Sequence, residues 1–430
     1  MEKQGTENQN ISNVLYQMKE KLQGKKVLLA CSTGVDSMVL LHLLGLIKAK
    51  KDIVVVHINH QKRLASIEEE AFIQDYTQKL GIRCYTHKLP HYEGSNFQEW
   101  ARTLRYQYFY TIAKQEQIEI ILLAHHADDN LETILMRLIR SASLEGYAGI
   151  RTLSHYQDCI LYRPLLGITK DEIYTYAKDN HITYYEDASN DTDDYMRNRI
   201  RHHVMPMLKQ ENPNLAKAIV NYSTTLFHAS DYFEKLEINF IKTLNLVHTN
   251  NDYFVKINRV DFEQLDAFLQ EQVLFRLLKS FDLSKEAIHN IQKQIASPKS
   301  KIVYPVNLQL NFIKEYGYVI FTTRSIEKTV FYRIIEKEGT YILPENRKIE
   351  VGKNICTFIT STQQLWYNNP GYPFVIRTRE NGDKIKLKSG TKSISDYLTD
   401  LKVPYLERQN ILLLCDQNNC VVAVLGYTKK

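Results

Sequence analysis

A doubly wound α/β fold, a parallel sheet with helices on both faces, is predicted for the first half of this 430-residue chain, followed by a middle helical domain and a small mixed α+β C-terminal domain. Four short apolar runs alternate with helix-period segments between Lys25 and about Asn190, and each run is bounded by polar or small residues. After Pro206 and Pro213 that alternation stops. The texture predicts domains at 20–210, 211–325 and 326–430.

The strands are expected at Lys26–Cys31, Ile53–Ile58, Ile82–His87 and Ile120–Ala124. Between them Phe97, Trp100, Ala101, Leu104 and Tyr108 fall at helical spacing, as do Leu131, Ile134, Leu135 and Leu138, so both sets read as buried stripes. Leu215–Phe240 and Asp261–Phe281 look helical, the second stepping by four through Leu265, Leu269, Val273 and Leu277. From Lys301 short alternating runs return, among them Ile302–Tyr304, Tyr318–Thr322, Thr340–Leu343, Phe374–Arg377, Ile411–Leu414 and Val421–Leu425, which predicts a strand-rich final third.

At 44% hydrophobic and 24% charged residues the composition excludes disordered and fibrous classes. Lys+Arg 55 against Asp+Glu 49 gives +6, which permits an anionic partner without demanding one. Six cysteines with no CxxC pair read as reduced thiols. Met1–Asn10 carries no basic-then-apolar signal, and no apolar run approaches the roughly 18 residues of a span, so no membrane role and a cytoplasmic location are expected.

Chemistry concentrates first at Ser32–Thr33–Gly34–Val35–Asp36–Ser37, where an apolar strand turns through small polar residues into a helix. Such a turn aims backbone N–H groups at the positive end of the helix dipole, so an anion is expected there, with Asp36 as a carboxylate able to hold Mg²⁺ beside phosphates. Neither GxxxxGK[ST] nor GxGxxG occurs. A capped helix start is the plainer alternative.

The second cluster, His125–His126–Ala127–Asp128–Asp129–Asn130–Leu131–Glu132–Thr133, follows the fourth strand. Residues at carboxyl ends of parallel strands face one crevice, so it should converge with the first turn. Asp129 and Glu132 lie three apart and could receive a cationic amine, or simply complement the helix dipole. Arg102 and Arg105 share a helix face suited to triphosphate oxygens or to plain solvent exposure. Tyr195–Gln210 holds Arg197, Arg199, Arg201 and Lys209 and no acid, which suits RNA phosphates or a solvated basic helix. Val375–Arg408 holds eight basic residues and five acids, and Arg377, Lys384, Lys386, Lys388 and Lys392 are candidate phosphate contacts or simply a solvated surface.

The order Ser-x-Gly-x-Asp-Ser after a first strand resembles the pyrophosphatase (PP) loop, Ser-Gly-Gly-x-Asp-Ser, of the N-type ATP pyrophosphatases, whose fold is a Rossmann-like parallel sheet. Thr33 replaces the first glycine. Because a β-branched residue is strained at φ > 0, the glycine-only geometry is expected at Gly34. Together with Glu99–Tyr106, His125–Thr133, Arg163–Pro164–Leu165–Leu166, Glu186–Asn190, Arg197–Arg201, Arg377–Thr378–Arg379, Gly382–Asp383, Leu398–Pro404 and Arg408, the set resembles the tRNA(Ile)-lysidine synthetases.

That resemblance implies ATP-dependent ligation of L-lysine to C2 of the wobble cytidine in a CAU-anticodon tRNA(Ile), through an adenylated cytidine, with release of AMP and pyrophosphate. It implies ATP and Mg²⁺ at Ser32, Thr33, Gly34, Val35, Asp36 and Ser37. It assigns Asp36, His125 and Arg105 to catalysis, Asp129, Glu132 and Asp187 to lysine, and Arg197, Arg199, Arg201, Arg377, Lys384 and Lys386 to tRNA. A homodimer stays open. Another PP-loop tRNA-modifying enzyme, such as a thiolase, and a non-catalytic RNA-binding relative are the alternatives, the thiolase disfavoured by the missing CxxC.

Overall fold

The computed structural model describes residues 2–427 except 60, 62–64, 93, 95–96, 141–142, 186–192, 194, 250–251, 329 and 388–389. The chain divides into two compact units, Met1–Phe233 and Glu234–Lys430.

In the first unit the elements run α1 (Glu2–Leu22), β1 (Val27–Ala30), α2 (Val35–Ile47), β2 (Ile53–Asn59), α3 (Ala65–Leu80), β3 (Arg83–Lys88), α4 (Phe97–Gln115), β4 (Ile120–Leu122), α5 (Ala127–Arg140), α6 (Leu144–Tyr147), β5 (Leu153–Tyr156), β6 (Cys159–Tyr162), α7 (Lys170–Asp179), α8 (Met196–Arg199), a π-helical turn at Ile200–Val204, α9 (Met205–Glu211) and the first part of the long α10 (Leu215–Lys242), whose last turns belong to the second unit. One sheet is ordered β3-β2-β1-β4-β6-β5, parallel throughout except for the antiparallel edge β5. All four expected strands are present, and β5 and β6 extend the sheet beyond them.

Alternation along β1 sends Val27 and Leu29 into a core with α1, α2 and α7, while Leu28 joins Val54, Val56 and the Ala101, Phe109, Ile112 face of α4 on the other side. Helices on both faces cover every residue of β2, as a central parallel strand requires. Each large aliphatic side chain so enclosed contributes about 1.5–3 kcal/mol. Strand order reverses between β1 and β4, where Leu29 pairs with Leu122, so the turns leaving these neighbouring strands open onto one crevice. A separate small core of Leu131, Ile200 and Met205 ties α8 through α9 to α5.

The second unit holds β7 (Asn245–His248), β8 (Tyr253–Asn258), α11 (Arg259–Glu263), α12 (Ala267–Leu277), α13 (Lys285–Ala296), β9 (Ile302–Pro305), β10 (Asn311–Glu315) and β11 (Tyr318–Thr322), then β12 (Tyr332–Ile335), β13 (Gly339–Leu343), β14 (Arg347–Val351), β15 (Ile355–Ile359), β16 (Gln364–Asn368), β17 (Phe374–Thr378), β18 (Lys384–Leu387), β19 (Gly390–Ser393), α14 (Ile394–Asp400), α15 (Tyr405–Gln409), β20 (Leu412–Cys415) and β21 (Val421–Val424). The stretch read as one helix over Asp261–Phe281 is instead broken at Asp266, which caps α12 through its side chain to the Phe268 N–H. The middle region also carries an antiparallel sheet, β7-β8-β11-β10-β9, packed on α12 and α13 through Val255, Ile257, Phe312 and Phe321. Two further sheets, β12-β17-β20-β21-β18-β19 and β13-β14-β15-β16, complete the unit. All six cysteines are free thiols, and among the described residues no helix is long and apolar enough to cross a membrane.

Candidate active site

The turn after β1 is built by its own hydroxyls. Ser37 is buried; its Oγ donates to the Gly34 carbonyl at 2.9 Å and accepts from the Ser32 N–H at 3.2 Å, closing the turn onto the first residues of α2. Thr33 and Val35 also point inward, so they shape the turn while Ser32, Gly34 and Asp36 face its open side. The expected position of the left-handed backbone is corrected here. Thr33 has φ 68° and is 1% exposed, whereas Gly34 has φ −67° and ψ 161°, an extended conformation open to any residue. A Cβ at Gly34 would meet only Ser32 Oγ at 3.5 Å and Tyr185 O at 4.0 Å. Neither contact forbids a side chain in the free protein.

Asp36 projects from the first turn of α2 with both carboxylate oxygens held by Lys170 Nζ, at 2.7 and 2.9 Å. His126, at the head of α5, comes within 3.8 Å of Asp36 and 3.4 Å of Asp129. The two predicted clusters therefore meet, through His126 and across the crevice above β1 and β4. His126 also accepts from the Asp129 N–H through Nδ1 and donates its own N–H to Asp129 Oδ2, which fixes the start of the helix.

Glu132, three residues along α5, is 1% exposed. Arg197 donates to Glu132 at 2.6 Å and to Asp129 at 2.9 Å, and Arg201 grips Glu132 at 2.6 and 3.1 Å. The four-residue spacing of these arginines crosses from α8 into the π-helical turn, so both face α5 while exposed Arg199 points elsewhere and donates to the Asp193 carbonyl. The acids expected to receive an amine and two of the arginines expected to meet RNA are thus partners of each other in the free chain. Against the rise that burial imposes, His126, Arg197 and His125 hold the Asp129 carboxyl well below the usual carboxylate range.

A second group of cationic and imidazole side chains, Arg102, Arg105, His125 and Arg163, neighbours these residues. Burial, followed by the charges of Arg163, Arg197 and Arg102, pushes His125 down to about 4, so the imidazole is neutral at pH 7. Burial and the neighbouring Arg102 and Arg197 likewise lower Arg105. The Nε of Arg105, the Nδ1 of His125 and the Nε of Arg163 are buried without a hydrogen-bond partner in the protein, a costly state that an anionic or polar ligand would relieve. Arg105 and His125 were singled out in the sequence; Arg163 is held by the Arg151 carbonyl and Ser154 Oγ and was seen only as part of a family motif.

The remaining expected residues fall elsewhere. Asp187 and the surrounding Glu186–Asn190 lie outside the described residues, as does Lys388. Arg377 is corrected: it is 2% exposed, bonded bidentately to Asp383 at 2.8 and 2.9 Å and to Asn419, so its guanidinium braces β17 and has no free face for a phosphate. Lys384 and Lys386 are exposed on one face of β18, either side of buried Ile385. Lys392 is ion-paired with Asp400. Sequence reading missed Lys170, whose signal was a cation in the first turn of a helix, where the dipole disfavours it.

As a metal site the crevice offers hard oxygen donors in small number. Among the described residues no three His, Cys, Asp or Glu side chains are grouped to hold an ion unaided. That set fits Mg²⁺, which is commonly held by one or two carboxylates plus phosphate oxygens, and does not fit a tetrahedral zinc centre.

Fold and site together define a PP-loop nucleotide-binding protein: a PP-loop domain model matches residues 7–208. A second model, the TilS substrate C-terminal domain, matches residues 374–430. Curated relatives include the tRNA(Ile)-lysidine synthases of Bacillus anthracis, 32% identical over 92% of this chain and 87% of the relative, and of Bacillus subtilis (strain 168), 31% identical over 95% and 91%. The chain belongs to the tRNA(Ile)-lysidine synthase family. Among solved structures, the U34-tRNA thiolase NcsA from Methanococcus maripaludis with its [4Fe-4S] cluster aligns at TM-score 0.44 and 16% identity, over 52% of this chain and 80% of that one.

Proposed function

We propose that this chain is an ATP-dependent ligase that joins L-lysine to C2 of the wobble cytidine of a CAU-anticodon tRNA(Ile), releasing AMP and pyrophosphate, and that it works in the cytoplasm. The observation that supports this reading is the approach of Asp36 in the Ser32–Ser37 turn and of Asp129 at the head of α5 to the same His126 side chain; in this reading the turn cradles the phosphates and Asp129 with Glu132 receives the amine. Residues 20–210 form the catalytic domain in this reading, 211–325 the middle domain and 326–430 the tRNA-contacting domain.

The reaction meets two obstacles. O2 of cytosine is a poor leaving group, and an ammonium is no nucleophile. Adenylation of O2 removes the first: the turn's N–H groups and the α2 dipole hold the triphosphate so that Pα lies open to attack. Mg²⁺ held by Asp36 would supply charge neutralisation on the departing pyrophosphate. In this reading the unpartnered Nε–H groups of Arg105 and Arg163 and the Nδ1 of neutral His125 meet the nucleotide or the adenylated base as charge shifts.

Asp129 and Glu132, with Asp187, serve the lysine. A carboxylate raises the pKa of an amine it binds, which opposes attack, so the acids hold the α-ammonium or take the ε-proton as the C–N bond forms. Arg197, Arg199 and Arg201 meet the anticodon loop, and Lys384 and Lys386 the tRNA backbone.

The test is mass spectrometry of the tRNA product after reaction with ATP and lysine, with each omitted in turn. One cytidine gaining a lysyl group, and pyrophosphate appearing only when tRNA is present, supports the reading. Pyrophosphate release without tRNA, or an unmodified product, excludes it.

A further inference from the structure

We propose that Lys170 is a catalytic residue of the pyrophosphate-releasing step: its ammonium holds Asp36 in the free chain and passes to the β- and γ-phosphates of ATP when the nucleotide occupies the turn. This rests on the reading of Ser32–Ser37 as the phosphate cradle. Lys170 stands in the first turn of α7, where the helix dipole disfavours a cation and where Thr169 and Glu172 already form a complete capping box. Helix stability therefore does not explain it.

Its backbone is fixed. The Lys170 N–H donates to Asp128 Oδ2 at 2.8 Å, which ties the start of α7 to α5, and Ile173 and Ala177 anchor the helix in the core shared with α2. From this base the side chain runs past the Tyr174 ring, 5.0 Å from Nζ, to both oxygens of Asp36.

The pair is not a buried brace. The two side chains are 28% and 27% exposed, and an ion pair that water still reaches adds little to stability. Its location is more telling than its strength, because Asp36 is the open-side carboxylate of the cradle. An ammonium hydrogen-bonded to that carboxylate is a short rotation from any polyphosphate seated there, and an arriving polyphosphate competes with Asp36 for it. Transfer of the ammonium also frees Asp36 to bind a cation.

In the adenylation step O2 of the cytosine attacks Pα, and the Pα–O bond to the β-phosphate breaks. Its electron pair leaves on pyrophosphate. Lys170 keeps its proton and offsets the charge that accumulates on the departing group, as a preorganised cation does without reorganisation of solvent.

The test is calorimetric ATP binding to the full chain in EDTA, so that no metal bridges carboxylate and phosphate, with Lys170→Met, Lys170→Gln and Lys170→Arg. Wild type and Lys170→Arg bind with affinities within about threefold of each other, whereas Lys170→Met loses tenfold or more, since one charge-assisted phosphate contact is removed. Lys170→Gln, which keeps a polar donor, reads the same loss should Lys170→Met fail to fold. In Mg²⁺ the neutral variants release pyrophosphate with a kcat reduced by about 10²-fold and an unchanged KM for lysine. Neutral variants that bind ATP in EDTA as wild type does overturn the proposal. A wild-type chain that binds no ATP with or without Mg²⁺ overturns the cradle itself.

Discussion

The Arg197 guanidinium sits 2.6 Å from Glu132 and 2.9 Å from Asp129, closing the acidic pair with an internal cation. Arg201 doubles the closure on Glu132. If these acids receive the amine of lysine, the substrate must compete with residues that are themselves suited to RNA phosphate. Arg201→Ala removes one competitor, so the affinity for free L-lysine in the absence of tRNA rises severalfold. The same variant binds tRNA more weakly, with a salt slope reduced by about one. Calorimetry with lysine and filter binding across a salt series read the two effects. Unchanged lysine affinity would show that the acids do not serve the amine.

Thr33 predicts an opposite trade at the phosphate turn. A left-handed backbone costs an L-residue about 1–2 kcal/mol, while glycine adds roughly 0.5–1 kcal/mol of unfolded-state entropy to be lost on folding. Thr33→Gly therefore gains up to about 1 kcal/mol in urea unfolding. Because the Thr33 hydroxyl donates to the Ser32 carbonyl beneath the turn, pyrophosphate release changes by less than about threefold, a barrier change under 1 kcal/mol. A loss of tenfold or more would place that hydroxyl on the nucleotide.

The parallel sheet and the convergence of the Ser32–Ser37 and His125–Thr133 clusters were legible because both follow from local pattern. Short, β-branched apolar runs such as Ile53–Ile58 favour buried central strands, and turns leaving β1 and β4 share a crevice once those strands are neighbours. What escaped was set by partners distant in sequence. Tyr253–Asn258 alternates cleanly, yet it pairs with Tyr318–Thr322 some sixty residues away, and the helical texture between concealed the sheet. Arg377 read as a surface cation because its partners Asp383 and Asn419 give no local sign of enclosing it. Asp36 and Lys170 are 134 positions apart, so no spacing rule connects them.

His125 makes the stability of the first unit sensitive to mild acid. Its imidazole titrates near 6.5 in the unfolded chain and is pushed down to about 4 in the folded one, chiefly by burial. The unfolded state therefore takes up the proton first as pH falls. The contribution of His125 is complete above pH 6.5 and is lost progressively toward pH 4, on the order of 3 kcal/mol in all. His125→Gln should flatten the wild-type decline in thermal midpoint between pH 6.5 and 4. An equally steep decline in the variant would assign the acid sensitivity to other groups. If the neutral His125 ring is the form that meets ATP, ATP affinity should fall over the same two and a half pH units, measured by calorimetry.

The second unit separates bracing from binding among its basic residues. Arg377→Ala leaves the nearly buried Asp383 carboxylate without its cation, and breaking such a pair costs about 3–5 kcal/mol, visible as a lowered urea midpoint. Lys384→Ala and Lys386→Ala, on the exposed face of β18, leave that midpoint within about 0.5 kcal/mol. If the strand meets the tRNA backbone, each lysine variant lowers the salt slope of tRNA binding by about one and weakens binding without regard to sequence. Arg377→Ala, assayed at a temperature where it is folded, keeps the wild-type slope. A reduced slope in Arg377→Ala with intact slopes in both lysine variants would reverse the division, and would require the Arg377–Asp383 pair to open when RNA binds.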